Sequence, residues 1–216
     1  SIAEQVGVVI TNTDLYDDLE QFAINTVKSL VCAIEVKDVY TRGHSERVNR
    51  YCMLMAERLG LDEEQQKYLY WGSILHDIGK IGIPEAILNK PGRLTDEEYE
   101  MIKSHPAKGC DILKPLVPLA GSLPGILHHH ERYMGGGYPD GIRGEEIPLL
   151  SRIIAVADTF DAVNSDRAYR SGKKHREALA LVKSLAGTQL DPDIVRLYAD
   201  ILEQGEGVRE RERMAG

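Results

Sequence analysis

The first of nine prolines is Pro84, so the opening third of the chain lacks the strongest helix breaker, and apolar residues return there at three- and four-residue steps. A chain patterned in this way folds as helices packed on one another. From Ile2 to about Val36 the stripe runs through Val6, Val9, Tyr16, Leu19, Val27, Leu30 and Ile34, a span longer than the usual helix of a compact domain. Periodicity admits two readings of it: a protruding helix that pairs with a second copy, or a helix lying on its own domain.

A second helix is predicted from about His44 to Leu59, stopped by Gly60, with Val48, Tyr51, Cys52, Met55 and Leu59 facing inward. A third starts at Asp62, where Gln65 completes a capping box, and carries Tyr68, Leu69, Trp71, Ile74 and Leu75 down to His76 and Asp77. Thr95 and Glu98 form another box, opening a helix that ends before "HPAKG". Further helices are predicted at about 118 to 130, 149 to 165, 175 to 186 and 191 to 204, the last with Pro192 in its first position. The charged end "VRERERMAG" lacks periodicity and is expected to fray. The pattern is all-α.

With 216 residues, 43% hydrophobic and 28% charged, the chain can bury one substantial core, giving one domain with an appendage. A net charge of -8 and a pI near 5.4 argue against nucleic acid or an anionic membrane as the bulk partner. An anionic ligand would need locally placed cations. Cys32, Cys52 and Cys110 are far apart and odd in number, which fits a reducing, cytoplasmic setting better than a disulfide framework. No cationic-then-apolar leader and no run of 18 apolar residues is present, so neither secretion nor membrane insertion is expected.

The histidines are more specific. Six of seven fall in four clusters, His44, His76 with Asp77, His105, and His128 to His130, leaving His175 as incidental. Imidazole and carboxylate without thiolate suit iron, manganese, zinc or nickel rather than calcium or magnesium. One aspartate can bridge two cations while histidines fill the outer positions, and so many donors exceed the needs of one tetrahedral ion. The run after the last cluster, "RYMGGGYP", can hardly be helix or strand; Gly135, Gly136 and Gly137 permit backbone angles closed to other residues, and Pro139 stiffens the exit beside Tyr138.

The ordered motifs "GHSERV", "HDIGK", "HHHE" with "GGGYPDG", and "AVADTFDAVNSDRAYR" resemble the HD-GYP family of cyclic di-GMP phosphodiesterases over about residues 28 to 204. The resemblance implies an HD-domain-like helical bundle, here with a protruding N-terminal helix, that hydrolyses cyclic di-GMP to the linear dinucleotide and on to GMP. By position, His44, His76, Asp77 and Asp158 would hold one metal, with Asp77 bridging to a second held by His105, His129 and His130. His128 would pack rather than ligate. Two divalent ions are implied, iron first, then manganese, with nickel or zinc behind. Such a pair, about 3.5 to 4 Å apart, can activate a bridging water and hold a phosphate for in-line displacement.

The same resemblance makes Asp77 and Lys80 catalytic. Lys80 neutralises the phosphate or the departing 3′ oxygen, and Asp38, Tyr138, Arg167 and Arg170 contact substrate. Asp161, one turn after Asp158, would support a ligand rather than be one. This chain has Tyr40 where some relatives place a carboxylate for a third metal, so two metals are expected. It also has Met134 in place of the usual aspartate or asparagine, and Ala168 where proline is usual; both fall on the substrate side. The stretch "AEQVGVVITNTDLYDDLEQF" resembles the last helix of a GAF sensory domain. Residues 1 to 27 then form a linker or signalling helix, able to dimerise and led by an upstream sensor; residues 28 to 204 form the catalytic domain, and 205 to 216 a charged tail. Two other functions compete: a binding module that holds cyclic di-GMP without appreciable turnover, and an HD-type hydrolase of another cyclic dinucleotide or nucleotide.

Overall fold

The computed structural model describes residues 21–22, 24–38, 43–164 and 175–215, with side chains described up to Gln204. Arg167, Ala168, Arg170, Tyr40 and most of the 1–27 segment therefore lie outside the described residues. Among those described there is no strand, only an isolated bridge between Ala186 and Leu190. The elements are α1 (24–37), α2 (His44–Leu59), α3 (Glu63–Leu75), a 3-10 turn (Ile78–Gly82), α4 (Glu85–Leu88), α5 (Asp96–Lys103), α6 (His105–Leu113), a 3-10 turn (Val117–Ser122), α7 (Leu123–Leu127), a 3-10 turn (Gly144–Glu146), α8 (Leu149–Asn164), α9 (His175–Ser184) and α10 (Pro192–Ala215). No helix among them is long and apolar enough to cross a membrane.

The helices bury two apolar clusters. The larger joins α2 through Val48, Cys52 and Met55 to α8 through Ile153, Val156 and Phe160, and to α10 through Tyr198. The smaller gathers Ile34 of α1, Ile74 and Leu75 of α3, Leu113 of α6 and Ile126 of α7. Within α1, Val27, Val31 and Ile34 recur at helical spacing and face this second cluster, while Leu30 and Val36 are exposed. The described part of the first helix thus lies on its own domain.

Both predicted capping boxes are present: Asp62 accepts from Gln65 N at 2.8 Å, and Thr95 from Glu98 N at 3.3 Å. Leu59, predicted inward, is 37% exposed, because the chain turns at Gly60 and Ala56 fills the inner face instead. The predicted helix over 118 to 130 is broken into the 3-10 turn and α7, since Pro118 and Pro124 each fit only the first turn of a helix. For the same reason "HPAKG" does not merely end a helix: Pro106 sits in the first turn of α6. The charged C-terminal end does not fray as its lack of periodicity predicts but continues the backbone of α10 to Ala215, since glutamate and arginine are both good helix formers.

One glycine decides how the two halves of the candidate site meet. A Cβ on Gly79 would collide with the carbonyl oxygen of His105 and the backbone of Gly109. Without a side chain, the turn after Asp77 lies flush on α6, which brings "HDIGK" beside His105.

Candidate metal centre

Seven sequence-predicted ligands converge from five places in the fold. His44 opens α2, His76 caps the end of α3, and Asp77 follows it; His105 opens α6, His129 and His130 lie just past α7, and Asp158 projects from α8. The last pair is delivered by a turn, since His128 is already the C-cap of α7. Donor atoms of Asp77, His105, His129 and His130 lie within 4.8 Å of one another, as do those of His44, His76 and Asp77. Asp158 Oδ1 is 3.2 Å from His44 Nε2, at the edge of the second group. Asp77 belongs to both groups.

The rings are set by their other nitrogen. Nδ1 of His76, His105 and His129 each lies 2.6 to 2.7 Å from the carbonyl three residues earlier, on Ser73, Ile102 and Ile126, so each ring donates there and leaves Nε2 as an acceptor. In His44, Nδ1 bonds Asp161 Oδ2 at 2.7 Å, and Arg47 holds the same carboxylate at 2.7 and 3.0 Å. This is the carboxylate–histidine pairing that orients metal ligands. His76 Nε2 is buried with no hydrogen-bond partner, and His105 Nε2 faces His129 Nε2 at 3.4 Å. Several lone pairs directed at one another around two carboxylates are what a pair of divalent cations would satisfy, and the donor set fits them.

Electrostatics divides the imidazoles into two kinds, those held neutral and His44, whose proton a cation would have to displace. Burial, then the neighbouring imidazoles, pushes His129 well below its ordinary range and His130 down to about 4, so both are neutral and able to coordinate at neutral pH. Burial also lowers His76. For His44, burial opposes the proton, but hydrogen bonds to Asp158 and Asp161 raise it to about 10. Burial would raise Asp77 and Asp158; Lys80 and then His76 hold Asp77 well down, and His44 does so for Asp158.

Lys80 Nζ lies 2.8 Å from Asp77 Oδ2 and 3.0 Å from Asp38 Oδ2, which joins those three predicted residues in one largely buried ion-paired group. Tyr138 lies over His130, ring centroids 4.8 Å apart. It also lines a cleft of about 440 Å³ with His130, Asp158, Gly136, Gly137, Tyr99 and Gln189. His128 is outside both ligand groups, its Nδ1 being 3.7 Å from Asp140 and 3.9 Å from Glu131. Met134 is 68% exposed on the loop.

Of the glycines, Gly135 and Gly136 take φ of 93° and 77°, angles that side chains disfavour, but Gly137 does different work. A Cβ there would strike the backbone of Glu131 and Arg132, so the glycine lets the loop fold against its own start. Glu131 was missed by sequence reasoning. Its buried Oε1 accepts the N–H groups of Asp140 and Gly141 at 2.7 and 2.9 Å, tying the loop's far end to the ligand histidines. The signal was present as the acid closing "HHHE", yet nothing local indicates that its partners are nine and ten residues on.

Replacing Asp161 by asparagine tests the ring-setting bond. Asp161→Asn should leave the helices intact and weaken cation affinity at the His44 group by about 10- to 100-fold. Isothermal titration with Mn²⁺ measures this, and unchanged affinity would show that Asp161 does not set the ring.

Residues 28–194 match the profile of a family described as HD domain. The chain is 37% identical over 207 residues to a cyclic di-GMP phosphodiesterase of Thermotoga maritima, covering 94% of this chain and 56% of that protein. It is 42% identical over 182 residues to a cyclic di-GMP phosphodiesterase response regulator of Xanthomonas campestris, covering 83% and 48%. It thus spans about half the length of these curated relatives. The solved structure of a cyclic GMP-AMP specific phosphodiesterase of Vibrio cholerae shares the fold, with a TM-score of 0.66 at 22% identity over 82% of this chain and 48% of that one. Profile, relatives and the order of the four motifs agree, and the chain belongs to the HD domain family, in its HD-GYP branch.

Proposed function

We propose that this chain is a metal-dependent phosphodiesterase that opens a cyclic dinucleotide, with cyclic di-GMP as substrate, linear pGpG as first product and GMP as the second. The observation that carries the reading is the pair of histidine-rich groups sharing Asp77. Bound there, two divalent ions, iron or manganese by donor type, would supply an activated water and charge neutralisation for in-line attack on phosphorus. His44, His76, Asp77 and Asp158 would hold one ion, and Asp77, His105, His129 and His130 the other.

The remaining work falls to the chain's own groups. Lys80 meets the phosphate charge and the departing oxygen, turning from Asp77 and Asp38 toward substrate. Tyr138 offers a ring face to a base beside His130. Arg167 and Arg170 supply cations for the second phosphate or a guanine edge. Residues 28–204 form the catalytic unit, 1–27 a linker or signalling segment that leads to an upstream sensor and offers a route to a homodimer, and 205–216 a charged tail. The free thiols of Cys32, Cys52 and Cys110 agree with a reducing cytoplasm.

A second reading, hydrolysis of cyclic GMP-AMP, is supported by a Vibrio cholerae relative, 40% identical over 160 residues, that is named a 3'3'-cGAMP-specific phosphodiesterase. The deciding experiment reconstitutes the protein anaerobically with Fe²⁺ or Mn²⁺ and offers cyclic di-GMP, cyclic GMP-AMP and cyclic di-AMP separately. Chromatography should find cyclic di-GMP cut with the highest kcat/KM. Faster cutting of cyclic GMP-AMP would replace the substrate, and two bound ions with no product from any of the three would make the chain a binding module.

A further inference from the structure

We propose that Glu35, in the last turn of α1, is the positioning residue that fixes His44 within its ligand group. α2 begins at His44 with Gly43 as its N-cap at φ 68°, and that residue offers no capping side chain. The first N–H groups of a helix need acceptors. Here one carboxylate from the preceding helix provides them: Glu35 Oε2 accepts from Gly43 N at 2.7 Å, and Oε1 from Ser45 N at 2.9 Å. These two bonds bracket His44 in the chain, holding the backbone on both sides of the ligand.

Glu35 is 9% exposed, so the bonds form out of water, where a charged acceptor is strongest. The same turn of α1 also grips the other edge of the site. Lys37 Nζ donates to the carbonyls of Ile81 and Ile83 at 2.9 and 2.6 Å, and Asp38 pairs with Lys80 at 3.0 Å. Asn89 Nδ2 closes the contact on Lys37 O at 2.9 Å. Asp161 sets the ring of His44, and Glu35 sets the main chain that carries it.

Glu35→Gln keeps the shape but replaces one acceptor oxygen by an NH₂ facing an N–H donor, so one bracket bond is lost and two donors oppose each other. The start of α2 must then shift, and His44 with it.

The inference rests on the two-ion reading of the site. Its test uses Mn²⁺ alone, by isothermal titration and electron paramagnetic resonance, on the wild type, Glu35→Gln and Glu35→Asp. The wild type should give two sites and an exchange-coupled pair signal. Glu35→Gln should weaken one site by about 10-fold or more while sparing the other, and should convert the coupled signal into that of a single ion. Glu35→Asp, which keeps the charge, should recover part of the lost affinity. Two sites of wild-type affinity in Glu35→Gln would overturn the assignment, and so would equal weakening of both sites with a lowered Tm, which would mark a general packing role. A wild type that binds two ions but cuts no dinucleotide would sink the substrate reading while leaving this comparison decisive.

Discussion

Asp77→Ala should lose both ions and all measurable hydrolysis, because Asp77 is the one side chain common to both ligand groups. Elsewhere in the cage a substitution removes a donor from one group; here it removes a donor from each, and with it the anion that lets two cations approach. The variant should still fold. Asp77 is the N-cap of the 3-10 turn but its side chain makes no capping bond there, and the turn is held by Lys80 N to Asp77 O at 2.9 Å. Lys80 keeps Asp38 as a partner. Elemental analysis after anaerobic reconstitution should find near two metals per chain in the wild type and near none in the variant. Turnover should fall by at least about 10³-fold, the scale of losing electrostatic stabilisation at the reacting group. A variant that retains two ions would refute the bridging role and with it the two-ion centre.

Lys80→Ala should separate binding from chemistry. Metals should remain near two per chain, since no ligand is touched, while kcat falls by about 10²- to 10³-fold, the effect of removing one well-placed charge donor. The pH profile adds a sign. Burial lowers the Lys80 pKa, but Asp77 and Asp38 more than reverse this and hold it above the ordinary lysine value. Lys80 therefore stays an ammonium through the neutral range, above which its proton would be lost only in strong base. Any limb of the wild-type profile between about pH 6 and 9 belongs to other groups and should persist in the variant at lower amplitude. Unchanged kcat would remove Lys80 from the mechanism; loss of metal would recast it as a support for Asp77.

Much of the helical framework was legible because it rests on local chemistry. The Asp62–Gln65 and Thr95–Glu98 boxes and the Gly60 stop each depend on residues within a few positions, and each appears where the spacing places it. Proline was harder to read, since it ends one helix and begins the next with equal ease. Pro106 and Pro124 both stand in first turns, so the spacing predicts neither α6 nor the break within 118 to 130. For the site, clustering of rare histidines singled out residues that the fold does bring to one focus. Glu35 and Glu131 escaped because each bonds backbone N–H groups eight to ten residues away, and a carboxylate recognising main chain leaves no pattern in side-chain spacing.

Three of the imidazoles are braced by carbonyls of the helical turn just before each, on Ser73, Ile102 and Ile126, so their aim is fixed as those turns fold. A pocket shaped in advance cannot choose its guest by wrapping around it, and with imidazole and carboxylate donors alone the choice among divalent transition ions falls to geometry and availability. On the proposed two-ion reading, supply would then govern occupancy, the exchangeable metal pool deciding which ions the site holds.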